Sequence, residues 1–295
     1  MPEFAATGFE AVAAILLAGS VVLVVAMIVA AVSIRAVGWL VAASRHGRDQ
    51  WARTFLFGVL ADGEEQAPRG PLRQRAVADT AMRLSSKLRG ADRAALANWL
   101  QSHGYRQRAV EMMRSSFAIR RARGTRLFVA ALCDRETGPL LELLEDRDAR
   151  VRAAAARALG QCGISTAVPF LVRAAQSGTR PLPVSVAAMS IIHTAPRSAR
   201  GLGLAWDSDN PAIAAMAAEV AGFLHLTDAR VRIERLLVAG DSPVVVSAAT
   251  ALQRLGDPRS TDAIARSLER EDVQPWARIA LHGIYADMHG VRLEP

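Results

Sequence analysis

The stretch from Asp148 to Gly163, DARVRAAAARALGQCG, constrains the fold more than any other part of the chain. From Val151 it sets Ala155, Ala156, Ala158 and Leu159 on one helical face. Small side chains there let a second helix come close, and Leu159 fills the space left. Gly160 and Gly163 read as the close of the helix. The same skeleton returns from Val184, Ile213, Val244 and Val273, at intervals of 33, 29, 31 and 29 residues. Periods of this size mark stacked helix pairs: one pair cannot bury its apolar stripe alone, and stacking covers it. A composition of 51% hydrophobic but only 5% aromatic residues, rich in Ala and Leu, suits an all-helical chain with close-packed small residues.

Ahead of the repeats, residues 11–34 carry no charge. Twenty-four residues make a helix of roughly 36 Å, long enough to cross a bilayer. The N-terminus has Glu3 and Glu10 and no basic residue, unlike a cleaved signal peptide. Arg35, Arg45, Arg48 and Arg53 follow the run, and Trp39 and Trp51 stand where interfacial aromatics belong. The expectation is a single transmembrane helix in the cell membrane, N-terminus outside and the rest cytoplasmic. Residues 51–60, WARTFLFGVL, either lie on the lipid surface or pack on the protein; their sequence leaves both open. Residues 61–71, with two Gly, two Pro and two adjacent Glu, read as a linker or a break between helices. The expected order is an external N-terminus (1–10), the span (11–34), a juxtamembrane segment and linker (35–72), a basic helical collar (73–134), and repeats with a tail (135–295).

The net charge of +8 is unevenly spread. Residues 73–126 hold thirteen basic residues against three acids, a net of +10, whereas residues 127–295 hold eighteen basic and nineteen acidic, a net of −1. A solenoid that wraps a nucleic acid carries its basic residues along the repeats, so nucleic acid is the disfavoured partner. The collar, with Arg106, Arg108, Arg114, Arg120, Arg121, Arg123 and Arg126, suits anionic lipid headgroups or an acidic patch on a membrane partner. An ordinary solvated surface is the other reading. Of 36 basic residues only Lys87 is Lys, which points first to a GC-rich genome.

Within the repeats, first helices are expected at 136–146, 165–176, 198–206, 227–240 and 260–270. Asn210 before Pro211 and Ser242 before Pro243 read as N-caps, as do Asp148 and Asp272; Gly163, Gly240 and Gly256 read as stops. VRAAAARALGQCG (151–163) and VVVSAATALQRLGDP (244–258) resemble the HEAT repeat family in its short bacterial form, over roughly residues 105–290. The resemblance implies a right-handed α-solenoid of HEAT-like helix pairs, here preceded by one N-terminal transmembrane helix. It also implies a ladder of Asp–Arg pairs. This chain departs from it there: the family's Arg survives as Arg152, while the aligned positions are Ser185, Ala214, Val245 and Gln274. Asp148 and Arg152 remain able to pair at i, i+4. The layout is also similar to one-span HEAT proteins that accompany membrane glycosyltransferases of polysaccharide assembly.

No catalytic, cofactor or metal motif emerges. His46, His103, His193, His225, His282 and His289 stand without a second His or Cys at metal-ligand spacing. GLGLAW (201–206) lacks the third Gly and the strand of a dinucleotide fingerprint. Cys133 and Cys162 read as buried free thiols. Arg152, Trp206 and Trp276 are the candidates for groove contacts, with core filling the favoured reading of both Trp residues. The leading expectation is a non-enzymatic, membrane-anchored scaffold or adaptor that binds a protein partner, with no cofactor. The alternatives are a nucleic-acid-binding HEAT-like protein, related to DNA alkylpurine glycosylases at the level of helix pairs, and a HEAT-like lyase acting on a bilin.

Overall fold

The computed structural model describes residues 23, 25–33, 35, 39, 46–61, 67–132, 136–176 and 178–288. These residues are helical or irregular, with no strand among them. The chain divides into two compact units, Met1–Thr80 and Ala81–Pro295.

In the first unit, the expected placement in a membrane is overturned. Among the described residues no helix is long and apolar enough to cross one. Of the uncharged run, residues 11–22, 24 and 34 lie outside the described residues. The helix α1, described over residues 46–61, buries Ala52, Leu56 and Val59 at i, i+4 and i+7. Its apolar face is therefore covered by protein rather than left for lipid. Trp51 stacks on Phe55 with ring centroids 5.4 Å apart, and the Arg73 guanidinium lies 5.2 Å from the Trp51 centroid. Residues 62–66 of the expected linker lie outside the described residues; α2 (Pro71–Ser85) follows.

The second unit is built of helix pairs. After α3 (Gly90–Ser102) come α4 (Tyr105–Met113) and α5 (Ala118–Ala130). Then follow α6 (Gly138–Glu142) with α7 (Ala149–Cys162), α8 (Val168–Gln176) with α9 (Val184–Thr194), and α10 (Gly203–Trp206) with α11 (Pro211–Phe223). The last pairs are α12 (Arg230–Ala239) with α13 (Ser242–Leu255), and α14 (Thr261–Leu268) with α15 (Pro275–Met288). The second helices α5, α7, α9, α11, α13 and α15 pack side by side in chain order, and the shorter first helices cover them. The result is an α-solenoid with a continuous Ala/Leu/Val core. Ala155, Ala156, Leu159, Ala217, Ala248 and Leu252 are fully buried. Each such Leu contributes about 1.5–3 kcal/mol by leaving water.

Two registers fix the repeat. Each middle second helix ends on a residue in the left-handed region: Gly163 (φ 65°), Ala195 (φ 44°), His225 (φ 52°) and Gly256 (φ 66°). Their intervals are 32, 30 and 31 residues by position. Three residues before its stop, Gly160 touches α9: a Cβ there would lie 2.7 Å from the Ser190 carbonyl oxygen. Gly222 in α11 stands three residues before His225, and a Cβ there would lie 2.6 Å from the Ala251 Cα of α13. Ser190 and Ala251 each stand five residues before their own stop. The same contact is thus made twice, backbone against backbone, where only Gly fits.

These registers correct several expectations. Gly160 is a packing contact and Gly163 alone is the stop. Gly240 does end α12, but in an extended conformation (φ −81°, ψ 154°). Val151, Ile213 and Val244 are the third residues of their helices, but Val184 opens α9 and Val273 precedes α15, whose third residue is Ala277. Asp148 and Asn210 do cap α7 and α11, accepting from the amides of Arg150 and Ala212. Ser242 does not cap α13. It is the first helical residue, and its hydroxyl accepts from the Gln274 amide of the next pair at 3.0 Å. Asp272 pairs with Arg270 instead of capping α15. Residues 289–295 and Cys133 lie outside the described residues.

Candidate interaction surface

The turn between α4 and α5 is held by a buried arginine. Arg121, the fourth residue of α5, points inward, and its side chain is 8% exposed. Its Nε and Nη2 donate to the two carboxylate oxygens of Asp146 at 2.7 and 2.8 Å, a bidentate pair. Its Nη1 donates to the carbonyls of Ser115 and Ser116 at 3.0 and 2.9 Å. Arg147 adds a further bond to the Ser116 carbonyl, and Asp146 also accepts from the Asp148 amide. Burial alone would push the Asp146 carboxyl up, but the bonds from Arg121 and the Asp148 amide outweigh it and hold the carboxyl below its usual range.

The same register position carries Arg152 in α7 and Arg278 in α15, again the fourth residue of the helix. Buried Arg152 donates to the carbonyls of Asp146, Arg147 and Pro181. Arg278 donates to the Arg270 carbonyl. The expected Asp148–Arg152 pair does not form: Asp148 is occupied by Arg150, at 3.1 Å, and by capping its helix. The aligned residue in the last pair is Arg278, where the sequence reading placed Gln274. The Arg of the repeat is a clamp on turn carbonyls, which pairing by charge could not reveal.

What this clamp presents to solvent is apolar and basic. Phe117 is the N-cap residue of α5 and is 67% exposed; Ile119 is 75% exposed. Arg114, Arg120 and Arg126 are exposed, as is Arg108; Arg123 is half-buried. Arg106 is mostly covered, pairing with Glu136 and lying 5.4 Å from the Phe128 ring centroid. Arg121, expected in the collar, is turned inward and is not part of that surface. Of the groove candidates, Arg152 is buried in its clamp and Trp206 is buried at 9% exposure. Trp276 is half-exposed, with its indole N–H donating to Gln274 at 2.7 Å.

Two clefts lie on the side of the first helices. One, of about 960 Å³, runs between α6 and α8 and is lined by both signs of charge, Glu142 and Glu145 facing Arg173 and Arg180. The other, of about 460 Å³, lies between α12 and α14. Neither gathers a nucleophile with a base. His193, exposed, bonds the Met189 carbonyl through Nδ1 at 2.6 Å, as a helix-end His does. Half-buried Cys162 has its thiol pushed up to about 12 by burial, against a smaller opposite effect of Arg93, so it is not a ready thiolate. Among the described residues no group of three or more His, Cys, Asp or Glu is placed to hold a metal ion.

No curated protein matches the chain. The family comparison finds HEAT repeats over residues 105–192, from the start of α4 into α9. That stretch holds the Arg121 and Arg152 clamps, the Gly160 contact and the first left-handed stop, so the match identifies this part of the solenoid as HEAT repeats.

Proposed function

We propose that this chain is a non-enzymatic scaffold that binds a protein partner through the α4–α5 turn and its basic surroundings. The observation that carries the reading is the exposure of Phe117 and Ile119, 67% and 75%, on a turn that a buried Arg holds in place. A rigid apolar tip loses little entropy on docking, and Arg is among the residues enriched at the energetic centres of protein interfaces. Exposed Arg114 and Arg120 make an acidic partner surface the complement. HEAT repeats as a family mediate protein–protein contacts, which supports the same reading. No narrower partner class, glycosyltransferase or other, follows from the repeats.

The test is purification of the full chain from its native cells, wild type beside the double variant Phe117→Ser, Ile119→Ser. The expected outcome is a stoichiometric protein partner with the wild type and its loss with the variant, at unchanged helical circular dichroism. A partner retained by the variant moves the interface elsewhere. Absence of any protein partner, or duplex DNA binding with a steep salt dependence, overturns the reading.

A further inference from the structure

The groove between α12 and α14 sits in the part of the chain that is close to neutral overall, yet its free charge has one sign. Its apolar surface comes from Val231, Val238 and Ala263, with Leu237 buried beneath them. Val231 and Val238 are 49% and 76% exposed, although they belong to a helix whose Ile233 and Leu237 are fully covered. Ser267 adds no open polar group, because its hydroxyl donates to the Ile264 carbonyl at 2.6 Å. Four charged residues line the groove, and two of them are engaged. Glu234 takes Arg230 at 2.6 Å and the Ser260 hydroxyl at 2.8 Å. Arg270 donates to the carbonyls of Leu237 and Gly240 and pairs with Asp272. Arg235 and Arg266 remain, both exposed and with no ion-pair partner among the described residues.

From this arrangement we infer that the groove receives an acidic amphipathic helix of a protein partner, an inference that rests on the scaffold reading. Val231 and Val238 are seven residues apart on α12, about 10.5 Å along its axis. A helix laid beside α12 meets them with residues at i and i+7 of one apolar stripe, and i+3 and i+4 fall toward Ala263. Arg235 and Arg266 then face the flanks of the stripe, where Glu or Asp gives the attractive charge and Lys or Arg the repulsive one.

The probes are two synthetic helical peptides with the same Leu stripe at i, i+3, i+4 and i+7, one flanked by Glu and one by Lys, titrated into the full chain by fluorescence anisotropy. The Glu peptide is expected to bind and the Lys peptide to bind at least about tenfold more weakly. Arg235→Glu with Arg266→Glu reverses that preference, and Val238→Ser weakens both; all three positions are exposed, so the fold survives. Equal binding of the two peptides, or a preference untouched by the double charge reversal, overturns the inference. So does a wild-type dimer in sedimentation that Val238→Ser dissolves, since a second copy would then own the groove. A native partner lost on Phe117→Ser, Ile119→Ser but kept on Val238→Ser, with neither peptide binding, sinks the groove and leaves the scaffold reading standing. No native partner, with the peptide preference intact, does the reverse.

Discussion

Repeats of this solenoid use opposite chemistry at one position, the fourth residue of the second helix, and the last repeat, with Arg278, sides with the first two. In α5 and α7 it is Arg121 and Arg152; in α11 and α13 it is Ala214 and Val245; all four are buried. At Arg121 the turn offers carbonyls from Ser115 and Ser116 and a carboxylate from Asp146. Between α12 and α13 only Gly240 and Asp241 intervene, and the carbonyls of Leu237 and Gly240 are met from the next pair by Arg270. The position faces inward in both halves; the turn decides whether it must be polar. A buried Arg at this position is therefore a response to orphan carbonyls, and an apolar residue stands in α13, where the carbonyls of the link are met by Arg270 instead.

The sharpest way to break this contrast is to remove the clamp. Arg121→Met strips the buried Asp146 carboxylate of its ionic partner and the Ser115 carbonyl of its Arg donor, and should cost about 3–5 kcal/mol in urea denaturation. Adding Asp146→Leu should recover a large part of that loss. Arg152→Met removes no ionic partner and should cost about 1–3 kcal/mol. Equal losses at 121 and 152 would mean that the ion pair matters no more than the carbonyls. Val245→Met, the matched change in a later repeat, should stay under about 1.5 kcal/mol.

Next in size are the close approaches, which the two halves share. Gly160→Ala and Gly222→Ala each place a methyl against backbone and should lose about 1–3 kcal/mol. Similar losses at both would show that the helix spacing is common to clamped and unclamped repeats. The stops sharpen the point with opposite signs. Gly163→Ala and Gly256→Ala should lose about 1–2 kcal/mol, whereas Ala195→Gly and His225→Gly should gain up to about 1 kcal/mol by relieving a left-handed L-residue. A loss at Ala195→Gly would show that its methyl packs usefully despite the strain.

The smallest effect is acid sensitivity. Asp148 and Asp257 are held down to about 2 by the side chains and amides of Arg150 and Arg259. A depressed carboxyl contributes stability above its unfolded value near ~4 and loses it as pH falls toward the folded one. The urea midpoint should be flat in this contribution near neutrality and decline between about pH 4 and 2. Asp257→Asn should flatten part of the decline. Both pairs involve an exposed Arg, so added salt should shrink the effect.

The period and the helix pairs were legible because Ala, Leu and Val at helical spacing report burial directly. Capping by Asp148 and Asn210 was legible because the cap needs only its own sequence neighbours. Three features were not. The register of α9 slipped by Val184 because Pro183 opens that helix two residues late. The left-handed stop at Ala195 and His225 carries no glycine to announce it. The fate of Arg121 depended on Asp146, 25 residues away, which composition counted only as one more acid. The basic collar was read as charge on a surface, and one of its members proved to be the rivet beneath that surface. The membrane placement rests on the uncharged run, its flanking arginines and its interfacial Trp residues, and among the described residues no helix is long and apolar enough to sustain it.

The left-handed stops have one more consequence. They fall at the same point of successive units, so the segment from one stop to the next is a self-terminating module of 32, 30 or 31 residues by position. Excising or duplicating residues 164–195 would join a stop to the start of a first helix, as every native junction does. Such a cassette can be gained or lost in one recombination event without leaving a frayed end. The solenoid's length, and with it the reach of whatever it displays at either end, is thus an easily varied trait of this architecture.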